Sequence, residues 1–72
     1  MNWDRVEGRW KLLKGKVREQ WGKLTDDDLD QIAGQRERLA GHLQQAYGLA
    51  QDEVEKQIKD FEKKAEQNKW VQ

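Results

Sequence analysis

The glycines of this chain form two triplets with the same internal spacing. Neighbours within a triplet are seven residues apart, and the second triplet follows the first by twenty-six residues: Gly8, Gly15 and Gly22, then Gly34, Gly41 and Gly48. The same shift aligns residues of similar chemistry: Leu13 with Leu39, Val17 with Leu43, Trp21 with Tyr47, Asp26 with Asp52, and Asp27 with Glu53. We interpret residues 8–27 and 34–53 as two copies of one unit, which restricts the fold far more than the chemistry.

The chain has 72 residues, which is enough for one small domain. Its large apolar side chains suffice for one thin core: Trp3, Val6, Trp10, Leu12, Leu13, Val17, Trp21, Leu24, Leu29, Ile32, Leu39, Leu43, Tyr47, Leu49, Val54, Ile58, Phe61, Trp70 and Val71. We therefore expect no cofactor-sized cavity of about 300 Å³ or more. The absence of cysteine excludes disulfides and thiol chemistry. We predict a single domain over residues 1–72 without a cofactor.

Charged residues make up 39% of the chain, yet fourteen basic and fourteen acidic side chains leave no net charge. Residues 1–24 carry seven basic and three acidic residues, hence +4, and the remainder carries −4. This asymmetry either steers the first helix to an anionic partner or draws the two parts of the chain together. We favour the second interpretation. Without a membrane-length apolar run or a signal-peptide core, a soluble cytoplasmic protein is expected.

The first segment has the spacing of an amphipathic α-helix, with apolar residues at steps of three and four. They are Trp3, Val6, Trp10, Leu13, Val17 and Leu24, with Trp21 alongside. Gly22 is expected to end this helix in the left-handed conformation. Gly8 and Gly15 each cost roughly 1 kcal/mol inside a helix. They mark either a break near residue 8 or a place where another backbone packs closely.

Three further helices are predicted. The second begins at the N-cap Thr25 and ends at Gly34, the third ends at Gly48, and the fourth begins after Ala50, a poor N-cap. Their inward side chains are Leu29, Ile32, Ala33, Leu39, Ala40, Leu43, Ala46, Tyr47, Val54, Ile58, Phe61 and Ala65. Residues 68–72 are expected to form a loose tail held by Trp70. Since no stretch alternates with period two, the predicted fold class is all-α: a small bundle of four main helices arranged as two similar, orthogonally packed αα-hairpins.

No group of residues indicates catalysis or metal binding. The acidic run at positions 26, 27, 28 and 30 lacks the glycine and the glutamate of an EF-hand loop. We interpret it as charge that compensates a helix N-terminus. His42, the one histidine, has no second metal ligand or nucleophile beside it, and we expect it to be exposed and idle. The chain is therefore predicted to be no enzyme and to have no metal site, cofactor or small-molecule substrate.

The first helix is the strongest candidate for a binding surface. Its basic residues are Arg9, Lys11, Lys14, Lys16 and Arg18, and they interleave with Trp3, Trp10 and Trp21. Aromatic rings among cations can stack on single-stranded nucleic acid, and the same pattern can lie on an anionic membrane surface. Because the tryptophans lie on or beside the apolar stripe, a structural use of this helix is the favoured alternative.

Much of the chain resembles the CsbD-like family of small bacterial general-stress proteins, in particular members of the YjbJ type. The resemblance is carried by Trp10-Lys11, Lys14-Gly15-Lys16-Val17 and the run from Glu19 through Trp21-Gly22-Lys23-Leu24-Thr25 to Leu29. It continues at Ile32, Gly34, Leu39, Gly41, Leu43, Gln44, Tyr47 and Gly48, and covers about residues 3 to 65. Ala50 departs from it, because members often have a capping Ser or Thr there.

The resemblance implies a compact bundle of orthogonally packed helical hairpins and induction during general stress. It supplies no catalytic motif and no active-site residues. We therefore expect a non-enzymatic stress-response protein, monomeric or weakly associating, that protects through an abundant, hydrated and highly charged surface. The alternative is a weak binding module for nucleic acid or an anionic surface that uses the basic first helix.

Overall fold

The first apolar stripe forms two helices rather than one. In the computed structural model, which describes residues 1–71, α1 spans Trp3–Gly8 and α2 spans Trp10–Gln20. The break falls at Arg9, whose φ of −116° and ψ of 22° depart from helical values. A Cβ added at Gly8 or Gly15 would meet no atom within 4 Å. The break near residue 8 is thus the correct alternative, and close backbone packing at these two glycines is wrong.

Three more helices follow: α3 spans Asp26–Ile32, α4 spans Arg36–Tyr47 and α5 spans Gln51–Gln67. The all-α prediction is confirmed, and four of the five helices have seven residues or more. None of the helices within residues 1–71 is both long and apolar enough to cross a membrane.

Neighbouring helices form two antiparallel pairs, and α3 also packs against α4. In the first, α2 and α3 are antiparallel, because the earlier residue of α2 contacts the later residue of α3: Lys14 with Asp30, and Arg18 with Asp26. In the second, α4 and α5 are antiparallel, because Gln44 and Gln51 line the same cleft while Arg36 reaches Glu55 and Glu62. The α1 helix contacts the loop between α3 and α4 through Glu7 and contacts α5 through Trp3.

The core within residues 1–71 is formed by apolar side chains, and none of them exposes more than 3% of its surface. Its members are Val6, Leu13, Val17, Trp21, Leu24, Leu29, Ile32, Leu39, Leu43, Val54, Ile58, Phe61 and Ala65. Trp3, Trp10 and Trp70 pack half-buried against it. The prediction that Leu12 belongs to the core is wrong, because this side chain lies on the outer face of α2 and is 76% exposed.

Gly48 is confirmed as a helix stop, because it is the left-handed C-cap of α4 with φ of 64°. At α3 the left-handed C-cap is Ala33, with φ of 49°, and Gly34 follows it with φ of 78°, so the helix ends one residue before the predicted glycine. The prediction for Gly22 is wrong, because α2 ends at Trp21 with φ −131° and ψ 87°, outside the left-handed region. The chain turns here through a hydrogen bond from the Leu24 N–H to the Trp21 carbonyl oxygen at 3.2 Å. This turn lets the Trp21 side chain enter the core.

At Gly34 another segment of backbone, that of Glu7, packs closely against the glycine. This is the kind of contact that was one of the two alternatives for Gly8 and Gly15. A Cβ at Gly34 would lie 2.6 Å from Cα of Glu7 and 3.0 Å from its backbone nitrogen. The loop between α3 and α4 therefore contacts the backbone of α1 directly. Only glycine fits this contact without displacing one of the two segments.

The chain beyond α5 turns back onto the bundle. The Trp70 N–H donates to the carbonyl oxygen of Ala65 at 2.9 Å, and the indole packs against Phe61 with ring centroids 5.7 Å apart. The predicted loose tail includes Gln72, which lies outside the described residues.

The N-terminal ends of α3 and α5 are capped differently. At α3, the Asp28 N–H donates to Thr25 Oγ1 at 3.1 Å and the Thr25 N–H donates to Asp28 Oδ2 at 2.9 Å, which is a complete capping box. At α5 the N-cap is Ala50, as predicted, and no side chain accepts from the first turn.

Replacing Ala50 with serine should stabilise the fold by about 0.5–1 kcal/mol. Ala50 already has the extended conformation of an N-cap, with φ −71° and ψ 157°, so a hydroxyl can accept from a free N–H of α5. Urea denaturation followed by circular dichroism should show a higher midpoint for Ala50→Ser. Thr25→Ala is the matched control, since it removes an existing cap and should lower the midpoint. A midpoint for Ala50→Ser at or below that of the parent would contradict the prediction.

Candidate functional site

The three tryptophans of the first segment each donate a hydrogen bond inside the bundle. The Nε1–H groups of Trp3, Trp10 and Trp21 donate to Glu62 Oε2 at 2.7 Å, to the Leu29 carbonyl oxygen at 2.9 Å and to Gln57 Oε1 at 2.9 Å, respectively. These bonds connect the first two helices to α3 and α5. The indoles thus have structural partners, which favours their use in the core over stacking on bases.

The basic residues proposed as an anion-binding surface divide into two groups. Three of them contact other parts of the chain: Arg18 Nη1 lies 2.6 Å from Asp26 Oδ1, Lys14 Nζ lies 3.7 Å from Asp30 Oδ1, and Lys16 Nζ lies 5.0 Å from the centre of the Trp70 ring. Arg9 and Lys11 are exposed and make no ion pair within residues 1–71. The positive charge that remains available on this helix is therefore concentrated at its start.

His42 contacts the acidic run at the start of α3. Its Nδ1 lies 3.1 Å from Asp28 Oδ1, and its side chain is 19% exposed. The expectation of an exposed, idle histidine is wrong, because α4 packs against α3 and brings this position to the capping box. A signal was present in the sequence: His42 lies three residues after the inward-facing Leu39 and four before Ala46, at the edge of the apolar face.

Hydrogen bonds hold the pKa of Asp28 below its ordinary value of 3.8. The largest cause is the backbone N–H of Thr25, followed by the Thr25 side chain; His42 adds to the effect, and burial opposes it. A carboxyl whose pKa is lowered by folding stabilises the folded state above its unfolded pKa. That contribution is lost as the pH falls through the lower, folded pKa.

Asp28→Asn should therefore reduce the free energy of unfolding most at neutral pH. The difference between parent and variant should shrink as the pH falls from the ordinary Asp pKa of about 3.9 through the lower pKa of the folded state, where the carboxylate of the folded parent becomes protonated. Urea denaturation of both proteins across this range would measure the difference. Asp27→Asn, at a neighbouring exposed position of the same turn, is the matched control. A parent–variant difference that stays constant with pH would contradict this account.

An open cleft of about 460 Å³ separates α4 from α5 at the surface. It is lined by Arg36, Glu37, Ala40, Gly41, Gln44, Gln51, Val54 and Glu55. A Cβ added at Gly41 would meet no atom within 4 Å, so the missing side chain leaves the cleft deeper at its middle. The expectation that this chain offers no space above about 300 Å³ is wrong for this groove. The space is open to solvent between two helices and is not a chamber in the core.

Charged groups close one end of the cleft and connect it to α1. Arg36 Nη1 lies 2.8 Å from Glu55 Oε2 and donates its hydrogen bond to Oε1 at 3.1 Å, so that Oε2 makes an ion-pair contact without a hydrogen bond. Arg36 Nε lies 3.5 Å from Glu62 Oε2, the atom that also accepts from Trp3. Three helices meet at Glu62.

The polar side chains described above form helix caps, ion pairs and the wall of the cleft. Within the described part of the chain no three His, Asp or Glu residues are grouped so as to hold a metal ion, and the sequence contains neither serine nor cysteine as a nucleophile. Three features were not predicted from the sequence: the contact of His42 with Asp28, the contact of Lys16 with Trp70, and the cleft. For the cleft, the available signal was a glycine in the middle of a helix.

Comparison with known proteins places the chain among small bacterial relatives. It is 55% identical over 64 residues to a UPF0337 protein of Protochlamydia amoebophila, covering 89% of this chain and 97% of the relative. It is 52% identical over 66 residues to the UPF0337 protein YjbJ of Escherichia coli K12, covering 92% and 96%. A UPF0337 protein of Rhodopseudomonas palustris is 59% identical over 61 residues, covering 85% and 92%. The CsbD-like family model matches residues 4–56. The resemblance seen in the sequence is confirmed, and the chain belongs to the CsbD-like family.

Proposed function

We propose that this chain is a non-enzymatic general stress-response protein of the bacterial cytoplasm, and that it protects other macromolecules through its charged, strongly hydrated surface. The observation that carries the proposal is the placement of the charged residues, which lie at the surface around an apolar core. Among residues 1–71 no polar or charged residue is buried, although charged residues make up 39% of the chain. A small apolar core is therefore surrounded by a solvent-exposed surface on which basic and acidic residues are equal in number.

The balance of the shell supports protection over tight binding of one charged partner. Basic and acidic residues are equal in number, and several pair with each other at the surface. A surface with both signs and no net charge exerts only a short-range field under physiological salt. Such a surface holds water near aggregating proteins without attracting nucleic acid or membranes strongly.

The proposal is tested by heating or drying an aggregation-prone enzyme with increasing amounts of this protein. We expect retained activity and reduced light scattering compared with an equal mass of a folded protein of low charge content. A matched variant removes two positive and two negative exposed charges: Glu19→Gln, Lys56→Gln, Asp60→Asn and Lys63→Gln. Its net charge is unchanged, and its protection should be weaker. Absence of protection by the parent at stress-level concentrations would refute the proposal, and equal protection by the variant would refute the role of charge.

Binding to an anionic partner through the basic helix predicts a different result. Affinity would fall steeply with salt, because phosphate contacts release counterions. NMR titration with single-stranded DNA, duplex DNA and anionic vesicles at low salt would then shift the resonances of Lys11, Lys14, Lys16 and Arg18. Under the protective proposal these resonances should not shift on addition of any of the three anionic partners.

A further inference from the structure

Leu12 is the large apolar side chain that residues 1–71 leave exposed, with 76% of its surface in solvent. It projects from the outer face of α2. One turn further along, at Gly15, a Cβ would meet no atom within 4 Å, so no side chain shields Leu12 on that side. A single exposed leucine is common on monomeric proteins. It indicates a partner only where a recess of matching shape and charge also exists.

The cleft between α4 and α5 is such a recess. Its exposed apolar surface comes from the half-buried Ala40, Val54 lies buried beneath it, and Gly41 leaves its middle open. With a volume of about 460 Å³ it has room for a leucine side chain. None of its lining residues belongs to α2. Leu12 and the cleft are therefore separate patches of one molecule.

The charges that remain unpaired beside the two patches have opposite signs. Arg9 and Lys11 flank Leu12 and make no ion pair within residues 1–71. Glu37 lines the cleft, and Asp52 and Glu53 follow its lining residue Gln51; these three acidic residues also lack an ion pair in the described chain. Lys14 and Arg18 pair with Asp30 and Asp26. The basic residues beside Leu12 and the acidic residues beside the cleft therefore remain available to a partner.

We propose that a second copy of this chain occupies the cleft, with its Leu12 in the recess at Gly41 and its Arg9 and Lys11 facing the acidic rim. The two contacting patches differ, so the contact is head-to-tail and joins copies into rings or short chains. One leucine with its flanks buries much less than the roughly 1,200 Å² of a stable interface. The association is therefore weak and depends on protein concentration. It stands independently of the protective function.

Sedimentation equilibrium of the full chain from about 10 µM to about 1 mM tests the association. We expect the apparent mass to rise with concentration in the parent. Leu12→Gln should raise the dissociation constant by about tenfold or more, because it removes a leucine from the contact. Gly41→Gln should do the same by filling the recess. Both substitutions are at exposed or open positions, and circular dichroism should show unchanged helix content. A parent that stays monomeric throughout, or a Leu12→Gln variant that associates like the parent, would overturn the proposal.

Charge exchange identifies the two patches as partners. Lys11→Glu and Glu37→Lys should each reduce self-association, because each brings like charges together. When the two variants are mixed, the carboxylate introduced at position 11 of one faces the ammonium introduced at position 37 of the other, and association should return. Lys63→Glu makes the same charge change as Lys11→Glu on an exposed part of α5, and it should have no effect. Failure of the mixture to associate, or an equal loss with Lys63→Glu, would show that the contact does not join these patches.

Discussion

Gly34→Ala should destabilise the fold by about 2–5 kcal/mol. An alanine there must adopt φ of 78°, which costs about 1–2 kcal/mol for a residue with a Cβ. That Cβ would also lie 2.6 Å from Cα of Glu7. Because the neighbour is backbone rather than a flexible side chain, α1 or the loop must move, and overpacking of this kind costs about 1–3 kcal/mol. In so small a domain this is a large part of the total stability.

Two other glycines separate the effects of conformation and contact. Gly48 shares the positive φ, at 64°, but a Cβ there would meet nothing within 4 Å, so Gly48→Ala should cost only the conformational part. Gly41 is helical with open space around it, and Gly41→Ala should stabilise by up to about 1 kcal/mol. The urea midpoint should be highest for Gly41→Ala, followed by the parent and then Gly48→Ala, and it should be lowest for Gly34→Ala. Equal midpoints for the last two would show that the approach to Glu7 does not limit stability.

Phe61→Ala should cost about 3–5 kcal/mol and leave the chain largely unfolded at 37 °C. Phe61 is 1% exposed and lies between two indoles, with ring centroids 5.4 Å from Trp21 and 5.7 Å from Trp70. Truncation removes both aromatic contacts and leaves a cavity that α5 cannot fill. Thermal unfolding followed by circular dichroism would measure the loss, and tryptophan emission should shift to the red as both indoles gain water.

Phe61→Leu is the control for size, since it keeps most of the apolar volume and should cost less than half as much as the alanine variant. Leu12→Ala is the control for exposure. It truncates a large apolar side chain that is exposed to solvent, so the stability of this variant should lie within about 0.5 kcal/mol of that of the parent. A Phe61→Ala protein as stable as Leu12→Ala would contradict the assignment of Phe61 to the centre of the core.

Helix boundaries governed by local chemistry could be predicted from the sequence. Thr25 with Asp28 forms a cap from neighbouring residues alone, and Gly48 ends α4 because glycine adopts positive φ at low cost. The inward faces of α4 and α5 followed from their period. Gly22 shows the limit of such reasoning, since it does not adopt positive φ and α2 instead ends at the C-cap Trp21, whose side chain is buried in the core.

Contacts between distant segments could not be derived from local patterns. The approach of Gly34 to Glu7, the cation of Lys16 over Trp70, and the bond between His42 and Asp28 each depend on how helices pack. The cleft has the same origin, because a glycine inside a helix shows only that a side chain is missing. Whether another helix fills that space is decided by the tertiary arrangement.

The short α1 helix has a consequence for how the molecule opens. Six residues are too few to form a helix alone, so α1 persists only while Val6 is buried and Trp3 is bonded to Glu62, fifty-nine positions away. Detaching it exposes Val6 and breaks the contacts of Met1 with Glu66, Trp3 with Glu62 and Glu7 with Gly34, but it leaves the packing of α4 against α5 in place. Amide deuterium uptake should therefore be fast in residues 4–8 and slow in α4, whose exchange requires global unfolding. The native ensemble then includes a minor form in which α1 is unfolded and water reaches the site in the core that Val6 otherwise fills.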